Sequence, residues 1–338
     1  MPIFYKIRQH GYYGCINAAG EVVIEPQYLE LGAFHNGFAK VRINDQWALI
    51  DTIGRLWMKR LYRSIGPFEA GRARVQRVHA WGFIDEKGNE VIPAIFEAAG
   101  DFSEGLAAVR FNDKCGFLNT NGQFALKPVW NQADSFSDGL APAGNEAGCG
   151  YIDRQGNFVL EPQWDECRPF QGAVAVVQQQ DRWGLIDRSG KTLVEPQFSF
   201  VRGHAQGQFF DGMALAFQDG KYGFVSQEGH IAVEPMFDLA GDFAEGLALV
   251  EINGAYGYID RAGKLVIMPK FEDAGVFSER LAQVCINGRW GYIDTEGKIA
   301  LQAQYEFATP FQEDRALVGR DGKWMYIDPA GQVVWEEA

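Results

Sequence analysis

Three sets of residues in this 338-residue chain have types and spacings that could do chemistry. The first is a column of acids and amides. Asn17, Asp51, Asp85, Asn119, Asp153, Asp187, Asp260, Asp294 and Asp328 each stand three residues before a glycine, and Ser226 takes the place in a tenth copy. Stacked carboxylates could hold metal ions, but neither EF-hand nor calcium-repeat spacing is present. A turn explains the column better. Asp and Asn both bond backbone two residues on, and the following Gly accepts the positive φ that closes the loop. The second set is Cys15, Cys115, Cys149, Cys167 and Cys285. Cys115 and Cys149 stand at corresponding places 34 residues apart. A stacked thiol pair there could oxidise or bind a soft metal, although two small apolar core residues account for it more simply. The odd count and the lack of a CxxC pair weigh against a disulfide framework or zinc ribbon. They make a reducing cytoplasm the expected location. The third set is basic: Arg55, Lys59, Arg60, Arg63, Arg72, Arg74 and Arg77 lie within one short stretch.

The histidines (His10, His35, His79, His204 and His230) occupy unrelated places, without an HExxH or triad pattern. No P-loop, GxGxxG or GxSxG occurs. The sequence therefore predicts no catalytic residues, no resident metal and no cofactor, and a protein that is not an enzyme.

The elements that must position these residues come from one repeated unit. Tyr13, Trp47, Trp81, Cys115, Cys149, Trp183, Tyr222, Tyr256, Trp290 and Trp324 are 34 residues apart, apart from a 39-residue step between Trp183 and Tyr222. Gly follows in eight copies, with Ala48 and Met325 as exceptions. Each copy reads as three strands. One carries the Trp-Gly-x-Ile-Asp segment. The next follows the Asp-x-x-Gly turn and carries a proline, as in Glu21–Pro26, which marks an end or an edge. A third, such as Leu106–Phe111, precedes the next lead aromatic. Asp219-Gly220, Asn253-Gly254, Asn287-Gly288 and Asp321-Gly322 are strong type I′ hairpin signals. Two further aromatic columns lie between, one through Tyr28, Tyr62, Phe96 and Trp130, the other through Phe34, Phe68, Phe102 and Phe136. Residues 1–338 thus read as a single array of ten meanders, led by a strand at Ile3–Gln9 and closed by one at Gln332–Trp335.

The Trp-Gly lead, the Ile-Asp-x-x-Gly turn, the Glu-Pro-x-aromatic segment and the Phe-x-x-Gly segment resemble the bacterial WG-repeat (KWG-repeat) family across residues 3–335. The resemblance implies a bacterial source, a β-repeat architecture and an interaction role without a common catalytic activity. The chain departs from the pattern at Ala48, Cys115, Cys149 and Met325, and where Arg60 replaces the proline of the second repeat.

A lone three-stranded sheet cannot bury both faces, so neighbours must stack. Propeller blades usually have four strands and number four to eight. Ten three-stranded units therefore favour an all-β, open superhelical solenoid over a β-propeller-like ring. Pro2, Glu336 and Glu337 suit the protected ends of such a stack.

Net charge is −13, from 31 basic and 44 acidic residues. It disfavours nucleic acid and anionic membrane as general partners. No uncharged apolar run is long enough to span a membrane, and the opening residues have no apolar core of a secretory leader. Two features break the symmetry. Trp47–Ala80 holds seven basic and two acidic residues, a net +5 that leaves −18 elsewhere. The sixth repeat carries five extra residues near 202–209, including Arg202 and His204. The favoured function is a non-enzymatic scaffold meeting a protein partner through these features. A glycan or cell-envelope module is the alternative, with Trp57, Trp130, Trp164 and Trp335 as the rings most free to stack on sugars.

Overall fold

The computed structural model describes residues 3–35, 37–58, 60–199 and 207–337. Among them no helix forms, and every regular element is a β-strand. The chain falls into two compact units, Met1–Phe170 and Gln171–Ala338.

Each repeat folds as its local chemistry dictates. In the fourth, Leu106–Phe111 pairs antiparallel with Lys114–Asn119, which pairs with Phe124–Trp130. Hairpins of the expected type join the first two strands elsewhere: Asn253 and Gly254 have φ of 52° and 79°, and Asn287 and Gly288 have 52° and 69°. The expected leading and closing strands are present as Phe4–Gln9 and Val333–Glu336.

Seven of the ten sheets among the described residues have one strand more than expected. Ala98–Ala99 pairs with Arg110 and Val109 and adds a fourth strand ahead of the meander. Gln132–Ala133, Asp273–Ala274 and Phe307–Ala308 do the same, and Ser64–Glu69 and Leu239–Ala244 are longer versions. Four antiparallel strands in meander order are the make-up of a propeller blade. The open superhelical solenoid is therefore incorrect, and the β-propeller-like alternative is the fold class. The three-strand count that disfavoured it omitted the short strand, which is too brief to show alternation.

Rings fill the blades. The position two residues after the lead aromatic is fully buried in most copies, and its ring meets the phenylalanine column: Phe83–Phe102, Phe117–Phe136, Tyr151–Phe170, Phe224–Phe243, Tyr258–Phe277 and Tyr292–Phe311 have centroids 4.7–4.9 Å apart. Tilted pairs at this distance are the favoured aromatic geometry. The buried phenols of Tyr151, Tyr258 and Tyr292 donate to the carbonyls of Arg168, Gly275 and Thr309, which satisfies the one polar atom each ring brings inside. Consecutive blades within a unit are also tied by serines. Ser103 and Ser137 donate to the carbonyls of Phe136 and Phe170, and Ser278 to that of Phe311, all at 2.6 Å.

Candidate functional site

The acid column is a set of turns. Asp153 accepts the backbone N–H groups of Gln155 and Asn157, both at 2.9 Å, and Gly156 has φ of 86°. Asn17 and Asn119 make the same pair of bonds. The backbone N–H of Asn157, foremost, holds the Asp153 carboxyl below its ordinary value. In the seventh copy, where Ser226 stands in place of the acid, Ser226 is buried and bonds the His230 ring at 2.9 Å. Among the described residues no group of three His, Cys, Asp or Glu side chains converges as a metal site.

Cys115 and Cys149 do not pair with each other. Cys115 is a free, buried thiol, pushed above its usual value by burial. Cys149 is disulfide-bonded to Cys167, with Cα atoms 5.9 Å apart, inside the usual disulfide range. Cys167 takes the place in the short fourth strand held elsewhere by Ala99, Ala133, Ala274 and Ala308. Cys15 and Cys285 are free and buried, and burial lifts the Cys15 thiol to about 11.

The basic stretch of the second repeat divides into three roles. Arg72 and Arg74 brace the neighbouring blade. Arg72 donates to the Thr120 carbonyl at 3.1 Å. Arg74 donates to Ala99 at 2.8 Å, pairs with Asp101 at 3.0 Å and lies over the Trp81 ring. Arg55 pairs with Asp51 at 2.8 Å within its own turn. Arg60, Arg63 and Arg77 are the remaining three. Arg63 is exposed and donates to the Val78 carbonyl. Arg77 lies 3.5 Å from Glu90. Arg60 is exposed and makes no hydrogen bond or ion pair with the described residues. Lys59, Arg202 and His204 lie outside the described residues, as does most of the repeat-six insertion.

A change of backbone creates space beside Arg60. In the eight copies with glycine after the lead aromatic, the outer strand of the blade passes closely over that glycine. In the second repeat that residue is Ala48, and among the described residues the outer segment forms no named strand: it pairs through the isolated bridges Trp47–Tyr62 and Ile50–Leu56 and through the Trp57 N–H, which donates to the Leu49 carbonyl at 2.9 Å. A cleft of about 460 Å³ opens between this segment and the next blade. Arg60, Tyr62, Arg77, Asn89, Glu90 and Pro93 are among its lining residues. Trp57 donates its indole N–H to the Glu86 carbonyl at 2.9 Å and ties the same segment to that blade's turn. Burial raises the Tyr62 phenol, with the Glu90 charge adding and the Arg60 and Arg77 charges opposing.

Sequence reasoning located Arg60 and Arg77 and missed the contribution of the third repeat, Asn89, Glu90 and Pro93. The available signal was the coincidence of two departures, Ala48 for Gly and Arg60 for Pro, at facing positions. Of the tryptophans considered for sugar stacking, Trp130 and Trp164 are buried, and Trp335 packs against Tyr326.

Comparison with known proteins agrees with this architecture. No curated protein matches the chain. Among solved structures, a eukaryotic initiation factor is similar at 12% identity and a TM-score of 0.54, over 100% of this chain and 96% of that one. The dihydro-heme d1 dehydrogenase NirN matches at 12% identity and a TM-score of 0.40, over 99% and 72%. At such identity only the fold of the first is informative. The description "WG containing repeat" matches nine segments: 13–47, 47–77, 81–115, 116–145, 150–183, 183–222, 222–254, 256–290 and 290–324. The chain belongs to the WG-repeat family.

Proposed function

We infer that this chain is a non-enzymatic binding scaffold whose partner is a protein, met at the face formed by the second repeat. The observation that carries this reading is the coincidence of three departures in one copy. There the outer segment forms isolated bridges in place of a continuous strand, the net charge is +5 on an acidic body, and Arg60 makes no hydrogen bond or ion pair among the described residues. Repeated blades give a rigid frame, and specificity on such a frame resides in loops and irregular segments. A basic face on a molecule of net −13 would steer an acidic partner toward that face.

Arg60, Arg63 and Arg77 are the residues to alter, because Arg72 and Arg74 also hold blades together. The test places a photo-crosslinking amino acid at Val91, on the cleft wall, and identifies the captured protein. Reversal of all three arginines to glutamate should remove that capture while the melting temperature stays within a few degrees. A captured partner retained by the triple variant would exclude the second repeat as the binding face.

A further inference from the structure

The cleft beside Arg60 has the make-up of a carboxylate pocket, and we propose that it takes an aspartate or glutamate side chain from an extended acidic segment of a partner protein. This rests on the second repeat being the binding face, and it names the chemistry that face recognises.

Charge sets the class of ligand. Among the described residues the lining holds two guanidinium groups, Arg60 and Arg77, and one carboxylate, Glu90, for a net of +1. A single carboxylate neutralises that charge. A phosphate ester carries about −1.5 to −2 near neutral pH and would press its excess against Glu90. Glu90 is itself occupied: one oxygen lies 3.5 Å from Arg77 and the other accepts the Ala94 N–H at 3.2 Å. Asn89 gives one amide N–H to Asp85 at 3.1 Å and keeps the other. Among the described residues the donors left for an incoming anion are the Arg60 fork, the remaining N–H groups of Arg77, the second Asn89 amide N–H and the Tyr62 hydroxyl. Arginine forks receive carboxylates through paired bonds of about 2.7–2.9 Å, shorter than the Arg77–Glu90 approach, so Arg77 has donor capacity to spare.

Shape favours an extended chain. Val91 and Pro93 form an apolar wall beside the charges, and Val91 is 39% exposed. Glu90–Phe96 is the terminal strand of its sheet, so one row of its backbone groups is unpaired by that sheet. An incoming strand can add to such an edge through backbone bonds while alternate side chains enter a pocket. The ligand is then a segment in which an acidic side chain points into the cleft and an apolar neighbour lies along Val91 and Pro93.

Fluorescence anisotropy with the full chain tests this. The probe is a fluorescein-labelled octapeptide of alternating glutamate and valine. Comparison peptides replace glutamate by glutamine or by phosphoserine. The glutamate peptide should bind best, Arg60→Gln should weaken it at least tenfold, and Arg77→Gln should weaken it several-fold. Arg289→Gln, far along the sequence and paired with Glu306, should leave it unchanged. Circular dichroism should show Arg60→Gln folded, since Arg60 holds no other group. Absent binding of the glutamate peptide, equal binding by Arg60→Gln, or tighter binding of the phosphoserine peptide would each overturn the carboxylate pocket. Failure of the peptide with continued Arg60-dependent capture at Val91 would remove the pocket and leave the binding face standing. Arg60-dependent peptide binding with capture unaffected by the triple reversal would do the opposite.

Discussion

A methyl group too many decides the position after each lead aromatic. In eight copies a Cβ added there would come within 2.3–2.7 Å of outer-strand backbone, closer than real Cβ contacts allow. At Gly184 the obstacle is the Val194 carbonyl oxygen at 2.3 Å, with the Pro196 nitrogen at 2.7 Å. The outer strand bulges there, since Trp183 pairs with Phe198 while Leu185 pairs with Val194. Gly184→Ala should therefore cost about 1–3 kcal/mol, the usual range for overpacking. Ala48→Gly should cost under about 1 kcal/mol, chiefly from the added freedom of the unfolded chain. Urea unfolding followed by tryptophan fluorescence measures both, and a Gly184→Ala midpoint equal to that of the parent would refute the collision. The glycine column was plain in the sequence, but its cause was not, because the obstructing atoms lie 10–12 residues further on. The acid column was legible in full: Asn17 and Asn119 could replace Asp only if a turn, and not a charge, was needed.

Individual strands show where sequence reading stops. The three long strands of each copy announce themselves by β-rich segments and by glycine turns. The fourth does not. Two residues such as Ala98–Ala99 hold no alternation, and their place is fixed by partners ten or more residues away, Val109 and Arg110. Missing that strand was enough to turn a propeller-like fold into an expected solenoid. The Cys149–Cys167 bond was hidden for the same reason. It joins a strand to the short strand of the following repeat, so its second sulfur lies in the element that could not be seen. Alkylation of the purified chain in denaturant without reductant should label three cysteines, Cys15, Cys115 and Cys285, and after reduction all five. Labelling of five from the start would show the bond absent. Cys167→Ser should lower stability by up to about 3 kcal/mol, as expected for releasing a loop of this length.

Across the whole molecule, charge is distributed against the repeat. A regular array averages its surface, so a single copy at net +5 within a chain of net −13 creates a local field of the opposite sign. The candidate site was legible only as that imbalance. The sequence marked seven basic residues, and packing then withdrew Arg72, Arg74 and Arg55 into structural pairs and left Arg60, Arg63 and Arg77. If the remaining three steer a protein partner, association depends on where charge sits as well as on how much there is. Exposed charges interact over about 10 Å at 0.1 M salt and about 3 Å at 1 M. Raising sodium chloride across that range should slow association with the captured partner by tenfold or more, with a smaller change in dissociation. Two triple variants separate position from total charge. One reverses Arg60, Arg63 and Arg77; the other reverses Arg261, Arg289 and Arg320, which pair with Asp211, Glu306 and Asp321. Both reach the same net charge. Stopped-flow association should be slow and nearly salt-independent for the first, and close to the parent rate for the second. Equal slowing by both would mean that net charge alone governs the encounter, and that the second repeat has no special place in it.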